Sequence, residues 1–278
     1  MTQRRPSVLL LDIDGTLVNY QLKLPPGAAD AVRAARQAGH RVYLCTGRSP
    51  AEIYPELWQL GVDGLIGGNG SYIESSGQPV FHQVLDPRVV QRAVDWMVGL
   101  DLGYYLECNS GLYGTAHLPE KAAEILGGPT PENVAFVRTG FPDMIFGAAD
   151  ARDDVNKISF VLEPSVDLAA LTAEYAGLAS IDTWSMTGKG PEFGEFGQLG
   201  IHKGEAVQRL AAHLGVTKSD LIGFGDARSD LPLFAACGTS VAMGNAPDEV
   251  RASATVVTDH VDENGLANAF VRLGLIDS

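Results

Sequence analysis

Val8-Leu9-Leu10-Leu11-Asp12-Ile13-Asp14-Gly15-Thr16-Leu17 opens with an unbroken apolar run, continues through two carboxylates flanking one isoleucine, and then reaches a glycine. A short run with no polar alternation suits a strand of a parallel sheet covered on both faces. Asp12 and Asp14 then fall at the carboxyl end of that strand, and a side-chain period of two puts them on the same side. Two carboxylates so placed can share a cation and a substrate, while Gly15 lets the chain turn away. The plainer alternative is a strand followed by an Asx turn. Two acids directly after a buried run favour chemistry.

Working outward, Ala28, Ala31, Val32, Ala35 and Ala38 recur at helical spacing, Gly39 ends the pattern, and Arg41 to Cys45 read as the next strand. This is a β-α-β unit. Ser49-Pro50-Ala51-Glu52 carries a capping-box pattern with proline at the first helical position, so Thr46-Gly47-Arg48 is expected in the turn at a helix N-terminus. Backbone N–H groups there favour an anion.

From about Leu85 to Gly188 the pattern changes to a helix near Pro87 to Val98, a hairpin over Tyr104 to Tyr113 bending at Asn109-Ser110-Gly111, and further helices and strands. Gln83 to Pro87 and the Gly/Pro-rich Thr187-Gly188-Lys189-Gly190-Pro191 flank it as linkers. The first pattern then resumes with a helix at Lys203 to Leu214, strands at Leu221 to Phe224 and Ser240 to Met243, and a last helix near Asn264 to Leu273. The expected division is therefore a core over 1–84, an inserted α/β module over 85–188, and the rest of the core over 189–278.

With 34 acidic against 20 basic side chains, the net charge is -14. Such a surface repels nucleic acid and anionic membranes, so neither is an expected partner, and any site for an anion must make its own positive field. Cys45, Cys108 and Cys237 are odd in number and lack metal-ligand spacing, which argues against a disulfide framework or zinc site and for a reducing cytoplasm. The start MTQRRPSVLLLDIDG has basic residues before an apolar run, but Asp12 and Asp14 interrupt it too early for a signal-peptide core or a membrane span.

The segment Asp12 to Leu17, following an apolar strand, resembles the nucleophile motif of haloacid dehalogenase superfamily phosphatases, and the family's other motifs follow in order. Leu44-Cys45-Thr46-Gly47-Arg48 resembles the second motif of the Cof-type branch, whose Thr or Ser binds the phosphoryl group. Lys203 in Gly200-Ile201-His202-Lys203-Gly204 resembles the third, a lysine at a helix start that bridges phosphoryl group and nucleophile. Gly223-Phe224-Gly225-Asp226-Ala227-Arg228-Ser229-Asp230 resembles the fourth, GDGxND, with Ala227 in place of a glycine and Ser229 in place of an asparagine. Val241 to Ala246 resembles the branch's AMGNA segment and Asn69-Gly70 its NGA hairpin. Asn69 and Asn245 are read as turn-stabilising, and His202 as a surface residue.

The resemblance implies an α/β fold, a Rossmann-like parallel-sheet core with an inserted α/β cap domain. The stretch from Gly15 to Thr46 has room only for a turn and one helix, so the cap is the later insertion, the Cof-type arrangement. It further implies a Mg²⁺-dependent phosphohydrolase acting on a small phosphorylated metabolite, a sugar phosphate or similar. Asp12 attacks phosphorus to give a phosphoaspartate, and Asp14 protonates the leaving oxygen and then deprotonates water. Lys203, Thr46 and the Gly47 amide bear on the phosphoryl oxygens, with Ser229 reaching them through a water. The implied Mg²⁺ ligands are the Asp12 carboxylate, the Asp14 backbone carbonyl and the Asp226 carboxylate, with Asp230 behind them. Converging acids would repel one another without a cation, and all-oxygen ligation suits Mg²⁺. Selectivity is expected from cap residues such as Tyr104, Glu107, Lys157 and Trp184. A phosphomutase on sugar phosphates and a non-catalytic phosphometabolite sensor are the alternatives, the second disfavoured by the intact Asp12, Asp14, Lys203 and Asp226. No GxxxxGK[ST] occurs, which excludes a P-loop nucleotide site.

Overall fold

A computed structural model describes residues 6–141, 143–185 and 190–277. Its strands, in chain order, are β1 (Val8–Leu11), β2 (Arg41–Cys45), β3 (Gly64–Gly67), β4 (Tyr72–Ser75), β5 (Gln78–His82), β6 (Tyr104–Cys108), β7 (Leu112–Gly114), β8 (Met144–Phe146), β9 (Val155–Val161), β10 (Ser180–Trp184), β11 (Phe193–Gly197), β12 (Leu221–Gly225), β13 (Thr239–Ala242) and β14 (Val256–Val257). The described chain divides into two compact units. The first runs up to Gly47, over Ile53–His82 and from Ile201 onward; the second comprises Arg48–Glu52 and Gln83–Gly200.

The first unit is built on a sheet in the order β14-β13-β12-β1-β2-β3-β4-β5, parallel from β14 to β3 and antiparallel at the β3–β4 and β4–β5 pairs. The apolar run that suggested a doubly covered strand is this sheet's centre, and each of its four residues is buried. Leu9 and Leu11 pack on one face with Val32, Ala35 and Phe270, whereas Val8 and Leu10 pack on the other with Val207, Leu210 and Phe234. Helices Pro26–Gln37 and Gly265–Arg272 thus cover one side and Lys203–Leu214 and Leu231–Ala236 the other. From β1 the chain proceeds to β2 and β3 on one side, while β12 and β13 lie on the other, so the order reverses at β1. In open α/β sheets ligands bind at the carboxyl ends of the strands beside such a reversal.

The second unit has its own sheet, in the order β10-β11-β9-β6-β7-β8, antiparallel except for β7 and β8. The hairpin read at Asn109-Ser110-Gly111 joins β6 to β7, closed by a Cys108 N–H donated to the Gly111 carbonyl at 3.1 Å. Helices Pro87–Gly99 and Leu168–Glu174 supply Val90, Met97 and Leu171 to a core with Leu106, Ile158 and Phe160.

Two local expectations change. β11 lies beyond the expected 188/189 boundary yet hydrogen-bonds within the second unit's sheet, between β10 and β9. Of the expected return linker, Thr187, Gly188 and Lys189 lie outside the described residues. One half of the capping box at Ser49 forms, the Ser49 N–H donated to Glu52 Oε2 at 2.6 Å, while the Glu52 N–H goes to Ser49 O at 2.9 Å, and the segment opens only a 3₁₀ turn at Pro50–Glu52. Pro55 is the cause, because the residue before a proline is driven out of the helical region, and Tyr54 sits at φ -58°, ψ 139°. Among the described residues, no helix is long and apolar enough to cross a membrane.

Candidate active site

β1 stops at Leu11, and Asp12 to Val18 form a turn in which Gly15 donates its N–H to Val18 O at 2.7 Å. Both acids therefore lie in a turn past the strand end rather than on the strand itself. Asp12 donates its N–H to Phe224 O at 3.0 Å, continuing the β1–β12 ladder by one residue and setting Asp12 beside the end of β12, where Asp226 begins its loop. On the other side Thr46, 1% exposed, donates its N–H to Ile66 O at 2.8 Å just past the end of β2. Three neighbouring strand ends thus present Asp12, Asp226 and Thr46. Asn69, with φ at 55°, donates its N–H to Thr46 O at 3.1 Å and lies against Gly47, the turn-stabilising role expected of it.

Lys203 enters from the first turn of its helix and is 2% exposed. Its Nζ donates to Asp12 Oδ1 at 2.7 Å and to Asp230 Oδ1 at 2.6 Å. The other Asp230 oxygen accepts the Asp226 and Ala227 N–H groups, each at 3.0 Å. Asp230 thus fastens both the lysine and the β12 loop, which suits a place behind the reacting groups. His202, read as a surface residue, is exposed but also caps the Lys203 helix, its Nδ1 accepting the Glu205 N–H at 3.2 Å.

One oxygen from each of Asp12, Asp226 and Asp230 lies within 4.8 Å of the others, and all three residues are buried. Burial first, and the neighbouring carboxylates second, push the Asp12 carboxyl well above its usual range despite Lys203. Burial also raises Asp226, to about 7. For Lys203, burial works against the charge, but Asp12 and Asp230 outweigh it and hold its pKa well above the ordinary lysine value. One ammonium paired with two of three clustered buried acids leaves excess negative charge, which is the condition for a bound cation. An all-oxygen donor set suits a hard one such as Mg²⁺. Gly15 makes the space: at φ +83°, a Cβ there would lie 2.2 Å from Asp226 Oδ2.

Asp14 is partly buried in the Asp12–Val18 turn. Ser229 is exposed on the 3₁₀ turn Arg228–Asp230. Ala227 has φ -115°, an extended conformation open to any residue, so its departure from glycine costs the loop nothing in backbone strain. Asn245 does more than hold a turn. Its Nδ2 donates to Gly15 O at 2.8 Å and to Asp226 Oδ2 at 3.2 Å, while its Oδ1 accepts the Val261 N–H at 3.0 Å.

Two site residues escaped the sequence reading. Thr16 Oγ1 donates to Asp226 Oδ1 at 3.0 Å, and Tyr20 Oη donates to Asp226 Oδ2 at 2.5 Å. Burial and then Asp226 push the Tyr20 phenol well above its usual range. Thr16 sits inside the quoted motif and could have been noticed there. Nothing local marks Tyr20.

In the second unit, alternation along β6 separates the expected selectivity residues. Tyr104 lies on the helix-covered face, its hydroxyl donated to Ala149 O at 3.0 Å, and does not share a face with Glu107. Glu107, Lys157 and Trp184 do come together: Lys157 Nζ is 3.3 Å from Glu107 Oε2 and donates to Glu195 Oε2 at 2.9 Å. Ser159 links the rest, donating to Glu107 Oε1 at 2.7 Å and accepting from Trp184 Nε1 at 3.2 Å. Burial drives the Glu107 carboxyl well above its usual range, while Glu107 and Glu195 overcome burial to raise Lys157.

Comparison with known proteins fits this geometry. The family of haloacid dehalogenase-like hydrolases matches residues 9–270. The chain belongs to that family. The putative phosphatase YkrA of Bacillus subtilis is 24% identical over 274 residues, covering 97% of this chain and 98% of the relative. The 5-amino-6-(5-phospho-D-ribitylamino)uracil phosphatase YwtE, also of Bacillus subtilis, is 26% identical, with 93% and 95% covered. A solved haloacid dehalogenase-like hydrolase from Bacteroides thetaiotaomicron superposes with a TM-score of 0.82 at 23% identity, covering 97% of this chain and 100% of the other. Within the superfamily the chain stands among the Cof-type phosphatases.

Proposed function

We propose that this chain is a Mg²⁺-dependent phosphohydrolase that removes phosphate from a small phosphorylated metabolite, a sugar phosphate or similar, through a phosphoaspartate on Asp12. The observation that carries the reading is Lys203 Nζ, buried and donating to both Asp12 and Asp230 beside Asp226. An acid held at a strand end by a buried ammonium is poised as a nucleophile next to a positive charge that can receive a phosphoryl oxygen.

In the first half-reaction an Asp12 carboxylate oxygen bonds to phosphorus, the ester P–O bond breaks, and Asp14 gives its proton to the leaving oxygen. In the second, Asp14 takes a proton from water as that water bonds to phosphorus and the Asp12–phosphorus bond breaks. Lys203, the Thr46 hydroxyl and the Gly47 N–H bear on the remaining phosphoryl oxygens, where transition-state charge is spread, and Ser229 reaches them through a water. Asp230 keeps Lys203 in place. Mg²⁺ held by the Asp12 and Asp226 carboxylates and the Asp14 carbonyl would neutralise charge between nucleophile and phosphoryl group. Phosphate monoesters need some of the largest accelerations known, up to about 10²¹-fold, so these effects must act together.

Selectivity is assigned to the second unit, to the polar face carrying Glu107, Lys157, Ser159, Glu195 and Trp184. That YwtE is named for a phosphorylated metabolite supports the substrate class. Residence in a reducing cytoplasm belongs to the same reading and is supported by the three free, buried cysteines.

A phosphate-release screen over sugar phosphates, phosphorylated cofactors and other small phosphometabolites, ranked by kcat/KM with and without Mg²⁺, tests the proposal. Metal-dependent release from at least one of them is expected. An isomerised sugar phosphate without free phosphate would reassign the chain as a mutase, and full activity after exhaustive chelation would remove the metal.

A further inference from the structure

The four hydrogen bonds around Asp226 are unevenly shared. Oδ2 accepts from Tyr20 Oη at 2.5 Å and from Asn245 Nδ2 at 3.2 Å, whereas among the described residues Oδ1 accepts only from Thr16 Oγ1, at 3.0 Å. The Asp226 N–H, the fourth bond, is spent on Asp230. A carboxylate oxygen has about two lone-pair directions, so Oδ2 is filled and Oδ1 keeps one open. Asn245 is fixed independently by its bonds to Gly15 O and Val261 N–H. Tyr20 is not: its side chain is 42% exposed and adds little to the core, and among the described residues its hydroxyl bonds to Asp226. The loop carrying it is shaped to aim it. Asn19 Oδ1 accepts the Gln21 and Lys23 N–H groups at 3.1 and 3.0 Å, while Asn19 Nδ2 donates to Asp262 at 2.7 Å.

We propose that Tyr20 is a positioning residue that blocks the second oxygen of Asp226, confining this carboxylate to one-oxygen ligation and biasing the site toward Mg²⁺ over Ca²⁺. The inference rests on the metal reading given above. Mg²⁺ demands six ligands in near-ideal octahedral geometry, whereas Ca²⁺ takes six to eight and commonly gains them by bidentate carboxylate binding. A phenol on the second oxygen denies Ca²⁺ that extra ligand and leaves Mg²⁺ what it needs. The residue touches neither substrate nor metal in this role and acts only through Asp226.

Tyr20→Phe removes the hydroxyl and keeps the half-exposed ring. Titration calorimetry of the full chain with MgCl₂ and with CaCl₂, before and after the substitution, reads the two affinities directly and needs no turnover. The ratio of Ca²⁺ to Mg²⁺ affinity should rise about tenfold or more, which is about 1.4 kcal/mol or more. Tyr20→His, which can restore a donor, should recover part of the original ratio. If the parent chain binds Mg²⁺ but Tyr20→Phe leaves the ratio within about twofold, the Tyr20 assignment is overturned and the metal reading stands. If the parent chain binds no Mg²⁺ at all, the metal reading fails and this inference with it.

Discussion

Replacing Lys203 by methionine keeps the length of the side chain and removes its charge, which leaves Asp12 and Asp230 without the donor they share at 2.7 and 2.6 Å. With Lys203 only 2% exposed, water cannot replace the ammonium. Breaking a buried ion pair by removing one partner costs about 3–5 kcal/mol, because a buried charge is left uncompensated. A change of 1 kcal/mol moves the melting temperature of a domain of this size by about 2–4 °C, so metal-free Lys203→Met should melt about 6–20 °C lower. Catalysis should fall as well, by on the order of 10²–10³ in kcat, the cost of losing one preorganised donor to the transition-state oxygens. Scanning calorimetry in EDTA and in excess Mg²⁺ separates the two effects, since a cation among the acids restores stability but cannot restore the donor. Melting within about 2 °C of the parent together with kcat within about threefold would refute this arrangement of charges.

Gly15→Ala forces a Cβ to within 2.2 Å of Asp226 Oδ2 at φ +83°, so metal affinity and kcat should both drop sharply, and a variant with unchanged Mg²⁺ affinity by calorimetry would contradict the packing. The pH dependence of the metal-free protein follows from Asp226, raised by burial from 3.8 to about 7. Because the folded pKa lies above the unfolded one, the folded state binds the additional proton, and its contribution is present below about pH 4 and lost as pH rises to about 7. The loss is on the order of 4 kcal/mol at most. Melting curves in EDTA should therefore show a falling component between those limits that Asp226→Asn removes and Mg²⁺ flattens; a difference between parent and variant that stays constant with pH would sink the argument.

The first unit was legible because its decisive segments carry their own physics. Val8 to Leu11 needs both faces covered, and that alone orders a parallel sheet around it. Lys203 was legible through its motif, although the side chains it joins are 191 and 27 residues away. What failed did so for identifiable reasons. Phe193-Gly194-Glu195-Phe196-Gly197 follows a Gly/Pro-rich stretch and falls past the expected 188/189 boundary, on the core side, yet it is β11 of the second unit's sheet. Gly194 is needed there because a Cβ would lie 2.2 Å from the Phe160 ring of the neighbouring strand, a contact that no local pattern discloses. The helix expected after Ser49 was cut short by Pro55, a signal that was present and outweighed by the capping box. Tyr20 had no signal at all, since its meaning lies in an acid 206 residues further along the chain.

The central claim is a covalent phosphoryl group on Asp12, and trapping it is the direct measurement. The chain is mixed with a turned-over phosphate ester and Mg²⁺, quenched in acid within the first turnovers, digested, and the peptide spanning Asp12 and Asp14 is examined by mass spectrometry for an added phosphoryl group. A phosphoaspartate mechanism puts the group on Asp12 in the parent chain, lets it accumulate in Asp14→Asn where the water lacks its base, and removes it from Asp12→Asn together with turnover. Continued phosphate release by Asp12→Asn, or a phosphoryl group found on another side chain in the parent, would contradict it.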